Sequence, residues 1–218
     1  MAAPARPCYL LPSGGSMEAQ DRKALAHLRR DRRMRALIAR IGPPRFHEYS
    51  REDLLHNLLE AVIAQQLSGT VARVIFERFR ALAPQRFPDP ARLLKLSDAA
   101  LLGAGLSRAK IACVRDLCGR LTEGRLRLEE LDGMEDEQVV EALSAVRGIG
   151  PWTAHMVLIF AMRRPDVWPV GDLALRKSLQ ALLRLDQPPS PGQAQTLGEP
   201  WRPWRSYACW YLWQMNDG

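Results

Sequence analysis

The spacing of apolar side chains predicts that the chain folds into short helices. Residues 137–146 place apolar side chains three and four positions apart, which is the pattern of a helix with one buried face. These positions are Val139, Val140, Leu143 and Val146. Residues 54–63 carry a broader apolar stripe, which residues 71–79 resume after a polar interruption. Stripes of this width indicate helices that pack into a core.

A tight turn separates the helix over residues 137–146 from a second predicted helix that runs to about Arg163. The turn reads Arg147-Gly148-Ile149-Gly150, and the ring of Pro151 suits the first turn of the next helix. Glycine allows positive φ and the close approach of another backbone. Because the amides at a helix start lack internal partners, this turn offers donors to a phosphate oxygen. Alone the signal is weak, since any helical hairpin favours glycine in its turn.

An acidic residue starts the next predicted helix. Asp172 follows Pro169-Val170-Gly171 and precedes an apolar helix face that includes Leu175 and Leu179. Aspartate is a preferred N-cap, so a structural role explains this position. A carboxylate where a loop meets a helix can also act in catalysis, and the two roles are compatible. The residues alone leave both interpretations open.

Together, Gly148-Ile149-Gly150, the following Pro151-Trp152-Thr153-Ala154 and the acid after Pro169-Val170-Gly171 resemble a known motif. It is the helix-hairpin-helix plus Gly/Pro-Asp motif of base-excision DNA glycosylases, most similar to the alkylated-base branch, the 3-methyladenine DNA glycosylase II (AlkA-like) type. The resemblance covers roughly residues 50–216. It implies that Asp172 is the catalytic carboxylate and that the hairpin contacts a DNA phosphate. The hairpin residues concerned are Arg147, Gly148, Ile149, Gly150, Trp152 and Thr153.

The polar interruption of the apolar stripe is similar to the family's Gln-Gln-Leu-Ser segment, which enters DNA from the minor groove. The resemblance implies that Gln66 is the wedge that fills the space of an extruded base, supported by Gln65 and Ser68. The AlkA-like branch carries an aliphatic residue at the wedge, so Gln66 departs from the pattern. Spacing alone is equally consistent with a polar N-cap and turn between two helices.

The tryptophans suggest a base pocket. Five of the six lie after the hairpin in the sequence, and Trp152 lies within it. Alkylated purines are cationic, and an aromatic pocket attracts them more than normal bases. The resemblance implies pocket roles for Trp152 and Trp213, while two pocket tyrosine positions of the branch fall on Met156 and Gln214. We therefore expect a less aromatic pocket and an altered substrate range.

Several absences shape the expected chemistry. The family's strand-cutting members use a lysine just after the hairpin, and Trp152 occupies that position here. The spaced cysteines of an iron-sulfur cluster are missing, so we expect a monofunctional enzyme that requires no cofactor. The backbone carbonyls of Val146 and Ile149 could hold a monovalent or divalent cation, as in relatives, but no metal site of side chains is indicated.

The excess of basic residues predicts a polyanionic binding partner. The net charge is +7, and residues 21–40 contain eight basic residues against two acids. These residues predict helix, with the cations serving as a solvated face, a steering field or a DNA contact. The eight are Arg22, Lys23, Arg29, Arg30, Arg32, Arg33, Arg35 and Arg40. The cysteines form no C-x-x-C pair and no stretch could span a membrane, so we expect a cytoplasmic protein.

These observations and the resemblance predict an all-α, two-lobed helical bundle with a DNA-binding cleft. We expect a loose tail over residues 1–16, a first lobe of residues 17–50 plus 168–218, and a second lobe of residues 51–167 that contains the hairpin. The expected activity is hydrolytic excision of alkylated purines from double-stranded DNA by a monomer that leaves an abasic site. The alternatives are a catalytically silent DNA-binding or damage-sensing module and a glycosylase for deaminated or oxidised bases.

Overall fold

The structure, a computed structural model, describes residues 19–46, 54–85 and 87–215. The tail predicted over residues 1–16 lies outside the described residues. Within the described part every regular element is helical, which confirms the all-α prediction. Among the described helices, none combines the length and the apolar character that crossing a membrane requires.

The described residues form two compact units. One comprises residues 54–85 and 87–162, and the other joins residues 19–46 to residues 163–215. The division in the structure therefore falls after Met162. The sequence-based lobe bounds, 51–167 and 17–50 with 168–218, stay a prediction.

The first unit contains seven labelled helices and two irregular helical segments within its described residues. The helices are α3 (Leu54–Ala64), α4 (Gly69–Ala81), α5 (Pro90–Lys95), α6 (Asp98–Gly103), α7 (Arg108–Thr122), α8 (Asp136–Ser144) and α9 (Pro151–Met156). A 3₁₀ segment, Leu128–Gly133, precedes α8, and a π-helical segment, Val157–Ala161, continues α9. The helix α7 packs against α3, α5 and α6, and its buried face places it in the core of this unit.

The second unit is built around one fully buried helix. Its described helices are α1 (Ala19–Leu28), α2 (Arg32–Ile41), α10 (Leu173–Leu183), α11 (Pro191–Gly198) and α12 (Arg205–Gln214). Every residue of α12 from Arg205 to Trp213 is buried, and the helix packs against α1, α2 and α10. A helix that is buried all round lies in a core, which explains why its sequence shows no amphipathic stripe.

The basic segment predicted as helical over residues 21–40 is two helices. The first ends at Leu28, and Asp31 caps the second by accepting hydrogen bonds from the amides of Arg33 and Met34. The buried side of the pair includes Leu28 and Leu37, which face the core of the second unit. An N-cap residue has a non-helical backbone conformation and starts a new helix. Asp31 therefore divides the predicted helix into two.

A buried ion pair fixes the beginning of α12. The guanidinium of Arg205 donates from Nε to Oδ1 of Asp166 at 2.8 Å and from Nη2 to Oδ2 at 3.0 Å. The Arg205 side chain is 8% exposed, and Asp166 also accepts from Arg202. Such a bidentate pair ties the loop before Asp172 to the central helix with defined geometry.

Trp168 is a core residue of the second unit. Its indole Nε1 donates to the carbonyl of Ala194 at 2.8 Å, and its ring packs edge-on against Trp201. The ring lies so close to Gly198 that a Cβ added there would overlap it. Glycine at this position therefore provides space and not a special backbone conformation.

Alanine substitutions at two glycines of α11 test this packing. We expect Gly198→Ala to lower the free energy of unfolding by about 1–3 kcal/mol, because the added methyl group overpacks the Trp168 ring. Gly192→Ala is the matched control, since a Cβ there meets nothing within 4 Å. The control should be neutral or stabilise by up to about 1 kcal/mol through helix propensity. Urea unfolding of both variants measures the difference, and equal effects would contradict the close packing.

Candidate functional site

Asp172 caps helix α10 of the second unit. Its Oδ1 accepts hydrogen bonds from the amides of Ala174 at 2.6 Å and Leu175 at 3.0 Å. Its own amide donates to the carbonyl of Pro169 at 2.8 Å, which closes the turn before the helix. The residue is 6% exposed. The N-cap prediction is thus confirmed, and the cap holds a nearly buried carboxylate in a defined orientation.

The thiol of Cys209 on α12 lies in the electrostatic field of Asp172. Burial raises the pKa of the Cys209 thiol well above its ordinary value, and the negative charge of Asp172 raises it further. A thiolate is the nucleophilic form of cysteine, so a thiol held neutral is chemically inert. The Cys209 thiol therefore stays neutral beside Asp172, whose catalytic role stays a prediction.

The predicted hairpin is present in the first unit as α8, a turn and α9. Ile149 is buried in the turn, whereas Gly148 and Gly150 on either side are exposed. Gly148 has φ +84°, and a Cβ there would lie 3.3 Å from the Cβ of Cys113. Gly150 has φ −99° and caps α9, so only the first glycine uses the left-handed region.

Two amides of the hairpin are already bonded inside the protein. The Arg147 amide donates to Oδ2 of Asp116 at 2.8 Å, and the Ile149 amide donates to the carbonyl of Val146 at 3.1 Å. Burial acts to raise the pKa of Asp116, but the Arg147 amide and Arg120 outweigh it and lower that pKa. Of the predicted phosphate donors, the backbone amides of Arg147 and Ile149 therefore have protein partners.

The predicted wedge segment lies directly beside this hairpin within the first unit. Gln66 is exposed and has φ +58°, the left-handed conformation. The neighbouring Gln65 donates from Nε2 to the carbonyl of Gly148 at 3.0 Å and to Oγ1 of Thr153 at 3.1 Å. Ser68 is exposed and precedes α4 without a side-chain capping bond. The structure thus joins two segments that the sequence analysis treated separately.

Helix α7 also bonds to the end of α3, just before the wedge segment. Lys110 donates from Nζ to the carbonyl of Ile63 at 2.6 Å, near the end of α3, and burial lowers the pKa of this lysine. This bond places the Lys110 ammonium on one of the last carbonyls of α3, where it offsets the negative end of the helix dipole.

The four predicted pocket positions divide between the two units. Trp152 and Met156 lie one turn apart on α9 and its end, and Met156 is buried. Trp213 and Gln214 are neighbours in the last turn of α12, where Trp213 is 8% exposed. Trp152 and Gln214 are half-buried. Whether these side chains bind a base stays a prediction.

The predicted absence of a side-chain metal site can be compared with the described residues. Among them, no three histidine, cysteine or acidic side chains are grouped so that they could hold a metal ion. The carbonyl of Val146, one of the two predicted cation ligands, accepts the Ile149 amide. A cation on the carbonyls of Val146 and Ile149 stays a prediction.

Comparison with known proteins places this geometry in a family. The sequence model of the HhH-GPD superfamily base excision DNA repair proteins matches residues 59–203. DNA-3-methyladenine glycosylase 1 of Schizosaccharomyces pombe is 31% identical over 187 residues, which cover 85% of this chain and 81% of the relative.

Two solved structures are similar over most of the chain. The structure of a Schizosaccharomyces pombe 3-methyladenine DNA glycosylase in complex with abasic DNA has a TM-score of 0.80 at 30% identity and covers 90% of this chain and 97% of that one. A DNA-3-methyladenine glycosidase from Bacillus halodurans has a TM-score of 0.76 at 31% identity, with 90% and 88% covered. The hairpin, the capped Asp172 and these similarities agree, and the chain belongs to the HhH-GPD superfamily of base excision DNA repair proteins.

Proposed function

We propose that the protein is a monofunctional DNA glycosylase that excises alkylated purines, such as 3-methyladenine and 7-methylguanine, from duplex DNA. The observation that carries this proposal is the nearly buried carboxylate of Asp172, oriented by two amide hydrogen bonds at the start of α10. Phosphate binding alone does not need such a carboxylate. The relatives named as 3-methyladenine glycosylases support the choice of substrate.

The reaction is hydrolysis of the bond between the base and C1′ of deoxyribose. The bonding electrons leave with the base, and positive charge develops on the sugar. The Asp172 carboxylate stabilises that charge and orients the attacking water, whose oxygen bonds to C1′ and whose proton is released. A methylated purine is already cationic, so it leaves as a neutral base. The products are a free base and an abasic site.

The other candidate residues bind and open the duplex in this proposal. The exposed hairpin around Gly148 and Gly150, with Trp152 and Thr153 at the start of α9, binds a backbone phosphate. Gln66 fills the space that the extruded base leaves in the stack. Trp152 and Trp213 are the proposed base contacts, because an indole attracts a cationic base, and Met156 and Gln214 stand where the AlkA-like branch carries tyrosine.

Strand cleavage is not part of the proposed activity. Trp152 stands where the family's lyases carry the lysine nucleophile, and the chain contains no lysine between Lys110 and Lys177. We further propose that the enzyme works as a monomer and without a cofactor. The buried free thiols of Cys113, Cys118 and Cys209 support a reducing compartment such as the cytoplasm.

Replacement of Asp172 by asparagine tests the catalytic role. Asparagine is as good an N-cap as aspartate, so Asp172→Asn should keep helix α10 and remove only the charge. We expect release of 3-methyladenine and 7-methylguanine from methylated duplex DNA to fall at least about 100-fold, as when one electrostatic stabiliser is removed. Single-turnover release of the free base measures this change.

Asp89→Asn is the matched control. Asp89 caps α5 through the amides of Ala91 and Arg92, the same two positions that Asp172 uses on α10. This variant should excise at the parent rate. If Asp172→Asn also excises at that rate, the carboxylate is only a cap. A parent that binds DNA but releases no alkylated, deaminated or oxidised base would favour the silent DNA-binding module.

The bond between Gln65 and Thr153 tests whether the wedge segment and the hairpin act together. Gln65→Met keeps the shape of the side chain but removes the donor, and Thr153→Val removes one acceptor. We expect each to lower kcat/KM about 3- to 10-fold, the equivalent of one or two hydrogen bonds. The double variant should be little worse than Gln65→Met, because both changes break the same contact.

Thr153→Ser is the control for this cycle, because it keeps Oγ and should retain most of the activity. Thermal unfolding of each variant separates lost positioning from lost stability. Fully additive losses in the double variant would show that Gln65 and Thr153 act independently.

A further inference from the structure

The turn between α1 and α2 carries a dense group of exposed cations. Arg29, Arg30, Arg32, Arg33 and Arg35 lie within seven residues, and each is exposed. We call this group the arginine surface. The remaining three basic residues of the range 21–40 are exposed as well. Most of the chain's excess positive charge is therefore displayed by two adjacent helices of the second unit.

The two acids within this range offset only a small part of the charge of the arginine surface. Asp21 is 1% exposed and accepts a hydrogen bond from the Tyr207 hydroxyl at 2.9 Å, so its carboxylate faces the core. Oδ1 of Asp31, the N-cap of α2, accepts hydrogen bonds from the amides of Arg33 and Met34. Both carboxylates thus have structural roles, and the outward field of the segment is strongly positive.

The backbone that carries these cations is held in place by packing and by a hydrogen bond within the turn. Leu25, Leu28, Leu37 and Ile38 are buried, and both helices pack against α12. The side chain of Arg35 donates from Nε to the carbonyl of Arg29 at 2.9 Å, which closes the turn. Clustered like charges repel one another, and a fixed cluster gains most from a partner with closely spaced negative charges. Duplex DNA offers one phosphate charge per about 1.7 Å of helix axis.

The position of the arginine surface within its unit separates it from Asp172. Helix α12 packs against α10, which Asp172 caps, and also against α1 and α2. Axes of packed helices lie about 8–10 Å apart, so two such steps span up to about 20 Å. Successive phosphates of one strand advance about 3.4 Å along the duplex axis. A separation of up to about 20 Å along the duplex corresponds to at most about six base pairs.

We propose that the arginine surface is a second DNA-contact surface that binds backbone phosphates of the duplex flanking the excision site, within about six base pairs of it. The inference rests on the proposed function for the location of the excision site. It concerns affinity and not chemistry, because phosphate contacts position a protein without reading sequence.

The test compares two triple variants that remove the same charge. Arg30→Gln, Arg32→Gln and Arg33→Gln are combined to neutralise the arginine surface. The control combines Arg80→Gln, Arg92→Gln and Lys95→Gln, which are exposed cations at the end of α4 and on α5. Binding is measured between 50 and 200 mM salt on duplexes that carry one abasic site, the product of the proposed reaction, and that are lengthened stepwise on either side of it.

The parent should gain affinity as one flank is lengthened to about six base pairs and little beyond that length. On the long duplex, the arginine-surface variant should bind about 10- to 100-fold more weakly, and its plot of log K against log salt should be shallower by about 2–3, since each phosphate contact contributes about 0.9. On the short duplex it should match the parent. The control should differ from the parent by less than about 3-fold on both.

Two results would overturn the proposal. Equal weakening by both triple variants would mean that only the net charge matters. Weakening that does not depend on flank length would mean that the arginines contact no flanking phosphates. Because binding to an abasic duplex requires no excision, this test gives an answer even if the protein excises no alkylated base. A failure of excision and a failure of the flanking contact are therefore separate results.

Discussion

The ion pair between Asp166 and Arg205 determines how the second unit presents its acid. Arg205 begins α12, the fully buried helix on which α1, α2 and α10 pack. The loop that leads to Asp172 is bonded to this helix start through Asp166 and through the Ser206 hydroxyl, which donates to the carbonyl of Arg164. Arg205 is buried, so loss of Asp166 would leave its charge with only the longer contact to Glu199. The position of the carboxylate thus depends on contacts remote from it in sequence.

In the first unit, polar contacts and not apolar packing define the exposed surface. Gln65 bonds to both ends of the hairpin turn, while Lys110 and Asp116 on α7 hold the end of α3 and the Arg147 amide. Three of these bonds satisfy backbone groups that a tight turn or a helix end would otherwise leave unpaired, and the fourth joins Gln65 to the Thr153 hydroxyl. The loop that carries Gln66 and the hairpin are therefore one connected structure.

The sequence predicted the local elements well, because caps, turns and apolar stripes are short-range signals. The hairpin and the N-cap at Asp172 follow from such signals. The break at Asp31 could have been found from the same rules, since a capping residue precedes the stripe of α2. The contacts of Gln65 and Asp21 could not, because their partners lie 83–88 and 186 residues away and only the fold brings them together.

The left-handed backbone at Gln66 limits which residues can occupy this position without strain. Branching at Cβ crowds the following carbonyl in this conformation, and even an unbranched residue gives up about 1–2 kcal/mol there. Valine, isoleucine and threonine are therefore disfavoured, whereas glutamine, leucine, asparagine and histidine differ mainly in what they present beyond Cβ. The tip of this side chain can therefore be varied on an unchanged backbone.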